Sequence, residues 1–294
     1  MKDILLKIKH KITTYKNDQK VNNIKQNLKD WTSTFCPFLY DLLKENESFW
    51  LEIAKKFSLK LENASDKIKT EGKIKIENSL PVLLGKASEG DQLFISFLEF
   101  IDKQIKTLHE FVPSHLKTRT VGLFKRLFSE FDIDEQRKPN PTYLNGFSEI
   151  LTANKLIESG AYTLVEIEEP LGNGKKTDFT LVKNGGSLKS YVEVVNIHID
   201  ASKVESLEGF TEFVNLRLQQ KYDDKTNGLS EDIKKCFHLL PCIWSEDSAA
   251  HYIEQYGNAS PLNGLGILPP SSLIQYNNGN KKGFHFGIIK AEDL

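Results

Sequence analysis

Three cysteines, one methionine and no long apolar run are the first things to notice in this 294-residue sequence. Cys36, Cys236 and Cys242 are too few for a disulfide scaffold, odd in number and without zinc-ligand spacing, so they suit buried thiols in a reducing compartment. No stretch approaches the roughly 18 apolar residues of a membrane span. The patch in Met1-Lys2-Asp3-Ile4-Leu5-Leu6-Lys7 is too short for a secretory signal. These absences predict a cytoplasmic protein that does not enter a membrane. An excess of charge of one sign is missing too, because 39 Lys+Arg against 40 Asp+Glu leave a net charge of −1. No Gly-x-Ser-x-Gly elbow and no His-x-x-x-His pair occurs, which removes the commonest signatures of serine hydrolases and zinc proteases. Gly172-Asn173-Gly174-Lys175-Lys176-Thr177 resembles a phosphate loop only superficially: Glu169 occupies the first glycine position and a strand, not a helix, follows.

The charge that is present is unevenly spread. Residues 1–138 hold 25 Lys+Arg and 20 Asp+Glu, whereas residues 139–294 hold 14 and 20. The first 29 residues contain eight lysines and two aspartates. A basic face of this kind meets a nucleic-acid backbone or a protein partner, or is a solvated face of a packing helix. Apolar residues at helical spacing predict helices through this half: Ile8 to Trp31, then about 38–57, 91–111 and 114–131. Residues 61–86 are ambiguous, since Ile74-Lys75-Ile76 alternates like a strand and Pro81 interrupts the pattern. The polar, two-proline segment 132–141 predicts a boundary between a helical domain, 1–138, and a second domain, 139–294.

The second half reads as α/β. A helix is predicted over about 141–159, ending at Gly160, with strands over 161–168, 177–182 and 189–199. Asn184-Gly185-Gly186 is a hairpin signal between the last two. A helix over 209–224, a buried strand over 237–244, a short helix over 248–255 and one tail strand over 283–289 complete the reading.

Three acidic residues stand out in this frame. Glu149 lies in the first helix, Asp178 opens the run Asp178-Phe179-Thr180-Leu181-Val182, and Glu193 sits inside Tyr191-Val192-Glu193-Val194-Val195. A carboxylate within a β-branched strand is costly unless a cation or a donor meets it. The order of helix, strand, strand with Asp, hairpin, strand with Glu, helix and strand resembles the PD-(D/E)xK nuclease superfamily, the restriction-endonuclease-like fold, over about residues 141–256. The resemblance implies a mixed central sheet in an α/β or α+β domain. It further implies that Glu149, Asp178 and Glu193 hold Mg²⁺ or Mn²⁺, and that the substrate is DNA or RNA. Thr177-Asp178 stands where the family has Pro-Asp, and Glu193-Val194-Val195 where it has Glu-x-Lys. The family's lysine is therefore replaced by Val195. Members of the superfamily that supply this lysine from the next helix make Lys221 the expected substitute, with Gln220 supporting it. Lys176, two residues before Asp178, is a further candidate. The expectation is a metal-dependent nuclease, with a catalytically inactive nuclease-fold scaffold or a nucleic-acid- or protein-binding protein as the alternative.

Overall fold

The structure is a computed structural model that describes residues 2–71, 79–129, 143–199, 204–246, 250–258, 266–267, 271–277 and 282–288. The chain forms two compact units. The boundary segment 132–141 and the Ile74-Lys75-Ile76 alternation lie outside the described residues. The first unit comprises Met1–Lys103 and Phe124–Tyr143, and the second Gln104–Leu123 and Leu144–Leu294.

The first unit is helical: α1 (Lys2–Phe35), α2 (Pro37–Leu43), α3 (Glu47–Glu71), α4 (Leu80–Ser88) and the start of α5 (Gln92–Phe111). One helix over 38–57 was expected, but the chain breaks there for local reasons. Pro37 suits the first turn of α2, where the amide it lacks would have had no partner. The Asp102 carboxylate accepts the amides of Phe38 and Leu39 at 3.1 and 2.8 Å. Asn46 then restarts the helix, its Oδ1 accepting the Phe49 amide at 3.1 Å. Trp50 is fully buried, donates to the Leu43 carbonyl at 2.9 Å and meets Phe128 edge-on. Pro81 does not break the chain; it lies in the first turn of α4.

The second unit contains the end of α5, a 3-10 turn (Ser114–Leu116), the start of α6 (Lys117–Ser129) and the sheet domain. Arg119 donates to the Ile167 carbonyl and pairs with Glu166, and Asn154 donates to the Gln104 carbonyl, so residues 104–123 pack with the sheet. From α7 (Tyr143–Glu158) the order is β1 (Tyr162–Ile167), β2 (Phe179–Lys183), β3 (Lys189–His198), α8 (Leu207–Thr226), α9 (Glu231–Lys235) and β4 (Phe237–Glu246). Then follow α10 (Ala250–Asn258), β5 (Gly266–Ile267), β6 (Ser271–Asn277) and β7 (Lys282–Ile288). The sheet is mixed, with strands ordered β1-β2-β3-β4-β6-β7 and β5 also paired to β4. β1, β2 and β3 are antiparallel, β3, β4 and β6 parallel, and β6 and β7 antiparallel. The architecture is thus a helical N-terminal part followed by an α+β domain. The tail holds more strand than the one expected, since β5 and β6 both add to β4.

Both faces of β3 are covered. Val195 and Ile197 pack with Phe210, Val214 and Leu218 of α8 and with Phe237, Leu239 and Ile243 of β4. Alternation puts Val194, Asn196 and His198 on the opposite face. There Trp244 stacks on His198 and contacts Phe147 of α7.

Candidate functional site

The register of the β2–β3 hairpin assembles the site. Phe179 pairs with Val192 and Thr180 with Tyr191, so one step further Asp178 lies opposite Glu193. Directly opposed residues of an antiparallel pair project to one face, and like charges there repel. Gly185 makes the reversal possible at φ +83, with Gly186 donating to the Lys183 carbonyl at 2.9 Å. The start of β2 is pinned by Thr177, whose hydroxyl donates to the Val192 carbonyl at 2.9 Å. The Val194 amide donates to Asp178 Oδ2 at 2.7 Å.

Glu193 is 1% exposed in the middle of the sheet. Two lysines of α8 reach its Oε1, Lys221 at 2.9 Å and Lys225 at 2.9 Å. Its Oε2 is buried and has no hydrogen-bond partner among the described residues. The lysines differ in freedom. Lys225 is nearly enclosed and also donates to the Lys176 carbonyl at 2.6 Å, whereas the Lys221 side chain is 36% exposed.

The turn before β2 is fastened to the end of α8. Asn173 donates to the carbonyls of Lys225 and Asn227 at 2.9 and 2.8 Å, and Lys175 pairs with Asp224 at 2.8 Å. The strand end that delivers Asp178 and the helix end that delivers the lysines are therefore held as one piece. Ser206 caps the other end of α8, accepting the Gly209 amide. The right-handed crossover rule for parallel strands places α8 over the face that carries Glu193.

The electrostatics follow from this crowding. Burial, and then the Glu193 charge, push the Asp178 carboxyl up to about 7, against the pull of the Val194 amide, Lys225 and Lys221. Burial works to lower Lys221, but the adjacent Glu193 outweighs it and holds the ammonium above its usual range. Two opposed carboxylates, one with an unmatched buried oxygen, form a hard-oxygen donor pair beside two lysines. Mg²⁺ or Mn²⁺ suits such a donor pair, since Mg²⁺ is commonly held by one or two carboxylates and completes its shell with water or phosphate oxygens.

Glu149 does not close with Asp178 and Glu193 into a three-carboxylate cluster. No three His, Cys, Asp or Glu side chains among the described residues gather closely enough to ligate one ion. The reason lies in the layers. Ser148, next to Glu149 on α7, accepts a hydrogen bond from Trp244 Nε1 at 2.8 Å on the face opposite Glu193. Glu149 is itself buried at 8% exposure. Gln220 is exposed; one residue from Lys221, it turns about 100° away around the helix. Lys176 sends its amine to Glu168 at 3.4 Å and contributes only its carbonyl. Lys225 was missed by the sequence reading. Its spacing of four from Lys221, which puts both on one helix face, was the available signal.

No protein-family model matches the sequence, and no curated protein matches it. Among solved structures, the chain has a distant likeness to SfsA of Pyrococcus furiosus in complex with Ca²⁺, at 13% identity and a TM-score of 0.21. The match covers 52% of this chain and 66% of that one, just under two thirds of its length. No helix among the described residues is long and apolar enough to cross a membrane.

Proposed function

We propose that this chain is a metal-dependent phosphodiesterase of the restriction-endonuclease-like class, cleaving DNA or RNA. The observation that carries the reading is the Asp178–Glu193 pair, opposed across one hairpin, with an unmatched buried oxygen and two lysines from the next helix. The order α7-β1-β2-β3-α8-β4, with β3 and β4 parallel, supports the class. The three free cysteines suit a cytosolic setting.

In this reading Asp178 and Glu193 hold Mg²⁺ or Mn²⁺. Held there, such an ion would supply Lewis-acid chemistry, polarising a phosphate oxygen and favouring hydroxide at neutral pH. The chain's residues do the positioning. Lys225, tied to Glu193 and to the Lys176 carbonyl, fixes the direction of the Glu193 carboxylate. Lys221, more exposed, is the cation able to leave Glu193 for a phosphate oxygen and to stabilise charge developing there. It takes the place of the lysine that Val195 replaces. Asp178, held by the Val194 amide at its Oδ2, lies opposite Glu193 on the same face.

One observation favours the second reading, a non-catalytic nuclease-fold scaffold: both lysines already neutralise Glu193 without an ion. Incubating labelled DNA and RNA with Mg²⁺ or Mn²⁺, beside the Asp178→Asn protein, separates the two. Cleavage by the wild type alone supports the enzyme. Equal products from both, or none from either with the proteins folded, supports the scaffold.

A further inference from the structure

Along α8, Phe213, Arg217, Lys221 and Lys225 recur every fourth residue, so they form a continuous line on successive turns. The line begins in solvent and ends at the carboxylates. Phe213 is 39% exposed, and Lys221 and Lys225 sit on Glu193. The guanidinium of Arg217 lies over the Phe213 ring, 5.6 Å from its centroid. Lys221 and Lys225 are matched by Glu193, but no carboxylate among the described residues pairs with Arg217. The acidic residues of the helix do not compete for this line. Asp224 is held by Lys175 and Asp223 accepts from Gln219, while Glu208 and Glu212 project well around the helix. This flank thus offers an exposed phenyl ring and an unmatched guanidinium side by side, in a half of the chain with an acidic balance.

We propose that this flank of α8 is a track for single-stranded nucleic acid. Arg217 takes a backbone phosphate, Phe213 stacks an unpaired base, and the strand is led toward Asp178 and Glu193. This rests on the phosphodiesterase reading of that site. The length fits: eight residues of helix place Phe213 about 12 Å along the axis from Lys221, the scale of a few nucleotides. An aromatic platform beside a cationic line suits a single strand, because stacking on a side chain needs a base face that duplex pairing hides. Guanidinium is also the planar donor that best matches phosphate.

The test is fluorescence anisotropy of the full chain with a labelled 12-mer, single-stranded or annealed to its complement, in EDTA so that nothing is cut. The single strand is expected to bind at least 10-fold more tightly than the duplex. Phe213→Ala should weaken single-strand binding about 5- to 100-fold, and Phe213→Trp should restore it. Arg217→Ala should weaken binding and reduce the slope of log affinity against log salt by about 0.7. Asp178→Asn should bind the strand without cutting it, which separates this inference from the nuclease reading. Equal affinity for both forms, or no loss on Phe213→Ala, overturns the track even if wild-type protein cleaves. If Phe213→Ala instead converts a dimer to a monomer in sedimentation and leaves oligonucleotide binding intact, the flank is a protein interface and the proposal fails. If neither strand form binds, the track is again overturned, and the cleavage assay judges the nuclease reading separately.

Discussion

The two faces of β3 were built from alternate residues of one ten-residue strand, yet they solve different problems. Toward α8, Glu193 is buried beside Asp178, and two lysines with long, adaptable stems approach from one side. One carboxylate oxygen is left unmatched, so this face is electrostatically unfinished. Toward α7, the polar groups gathered around Trp244 are neutral and matched to one another. Trp244 Nε1 donates to Ser148 Oγ and, more distantly, to Asn196 Oδ1, and Ser148 donates in turn to the Leu144 carbonyl. Burying charge without a full complement of partners costs stability, and proteins tolerate it mainly where a ligand completes the set. Burying neutral hydrogen-bonded groups mainly specifies packing. The comparison assigns chemistry to the α8 face and architecture to the α7 face, and substitutions can break that assignment.

The largest effect is expected from Glu193→Gln, which keeps the shape of the side chain and removes its charge. Cleavage should fall at least about 100-fold, since even outer partners of a metal ligand are worth 10- to 100-fold. Calorimetric Mn²⁺ binding should disappear with it. A Glu193→Gln protein that cuts like the wild type would remove the α8 face from the chemistry. The next effect separates the lysines. Lys225→Met takes away the contacts to both Glu193 and the Lys176 carbonyl, and is expected to weaken Mn²⁺ binding about 10-fold. Lys176→Met, whose amine reaches only the exposed Glu168, should stay within about twofold. Equal losses in the two variants would show that general charge, not the clamp on Glu193, sets affinity.

How far this contrast was legible in the sequence depended on the range of each interaction. The Asp178–Glu193 meeting was readable because it is local. Asn184-Gly185-Gly186 closes a hairpin, and the closure sets which residues face each other. Lys221 was readable through the resemblance, which implies a lysine on the next helix, and a step of four along that helix would have pointed to Lys225. The separation of Glu149 from that pair was not readable. It depends on which side of the sheet α7 occupies, fixed by Trp244 and Ser148, 96 positions apart. The extra tail strands were hidden for a similar reason. Ser271–Asn277 begins with two serines and ends in asparagine, and it becomes a strand where β4 offers it a parallel edge along Cys242–Glu246. The break before Glu47 was local and missed, since Asn46 acts as a cap only when its side chain turns onto the Phe49 amide.

A smaller effect belongs to the α7 face. Trp244→Phe keeps the ring against Phe147 but removes the donor that Ser148 and Asn196 accept. It should cost about 1–3 kcal/mol in urea unfolding, the range for leaving a buried polar group unmatched. Mn²⁺ affinity should stay within about threefold of wild type. A loss of metal binding in this variant would mean that the faces are coupled through β3, and the division between them would have to be abandoned.

The smallest and most diagnostic effect is a slope with pH. His198 stacks on Trp244 with its Nε2 buried and unmatched, and burial lowers its pKa to about 4. An unfolded histidine takes up its proton near 6.5. Between those values the unfolded chain holds a proton that the folded chain refuses. The contribution of His198 is therefore fully favourable above about 6.5 and is lost as the pH falls from there toward 4. Asp178 has the reverse sign in metal-free protein: its raised pKa makes the fold lose stability as the pH climbs from its ordinary 3.8 through about 7. Urea midpoints taken from pH 7.5 to 5 should fall more steeply for Asp178→Asn than for wild type, because the opposing Asp178 slope is gone. For His198→Phe, which keeps the Asp178 slope and loses its own, they should fall less than in wild type or rise, the slopes differing by at most about 1.4 kcal/mol per pH unit. Identical slopes in all three proteins would mean that neither face carries the buried titrating group that its packing implies.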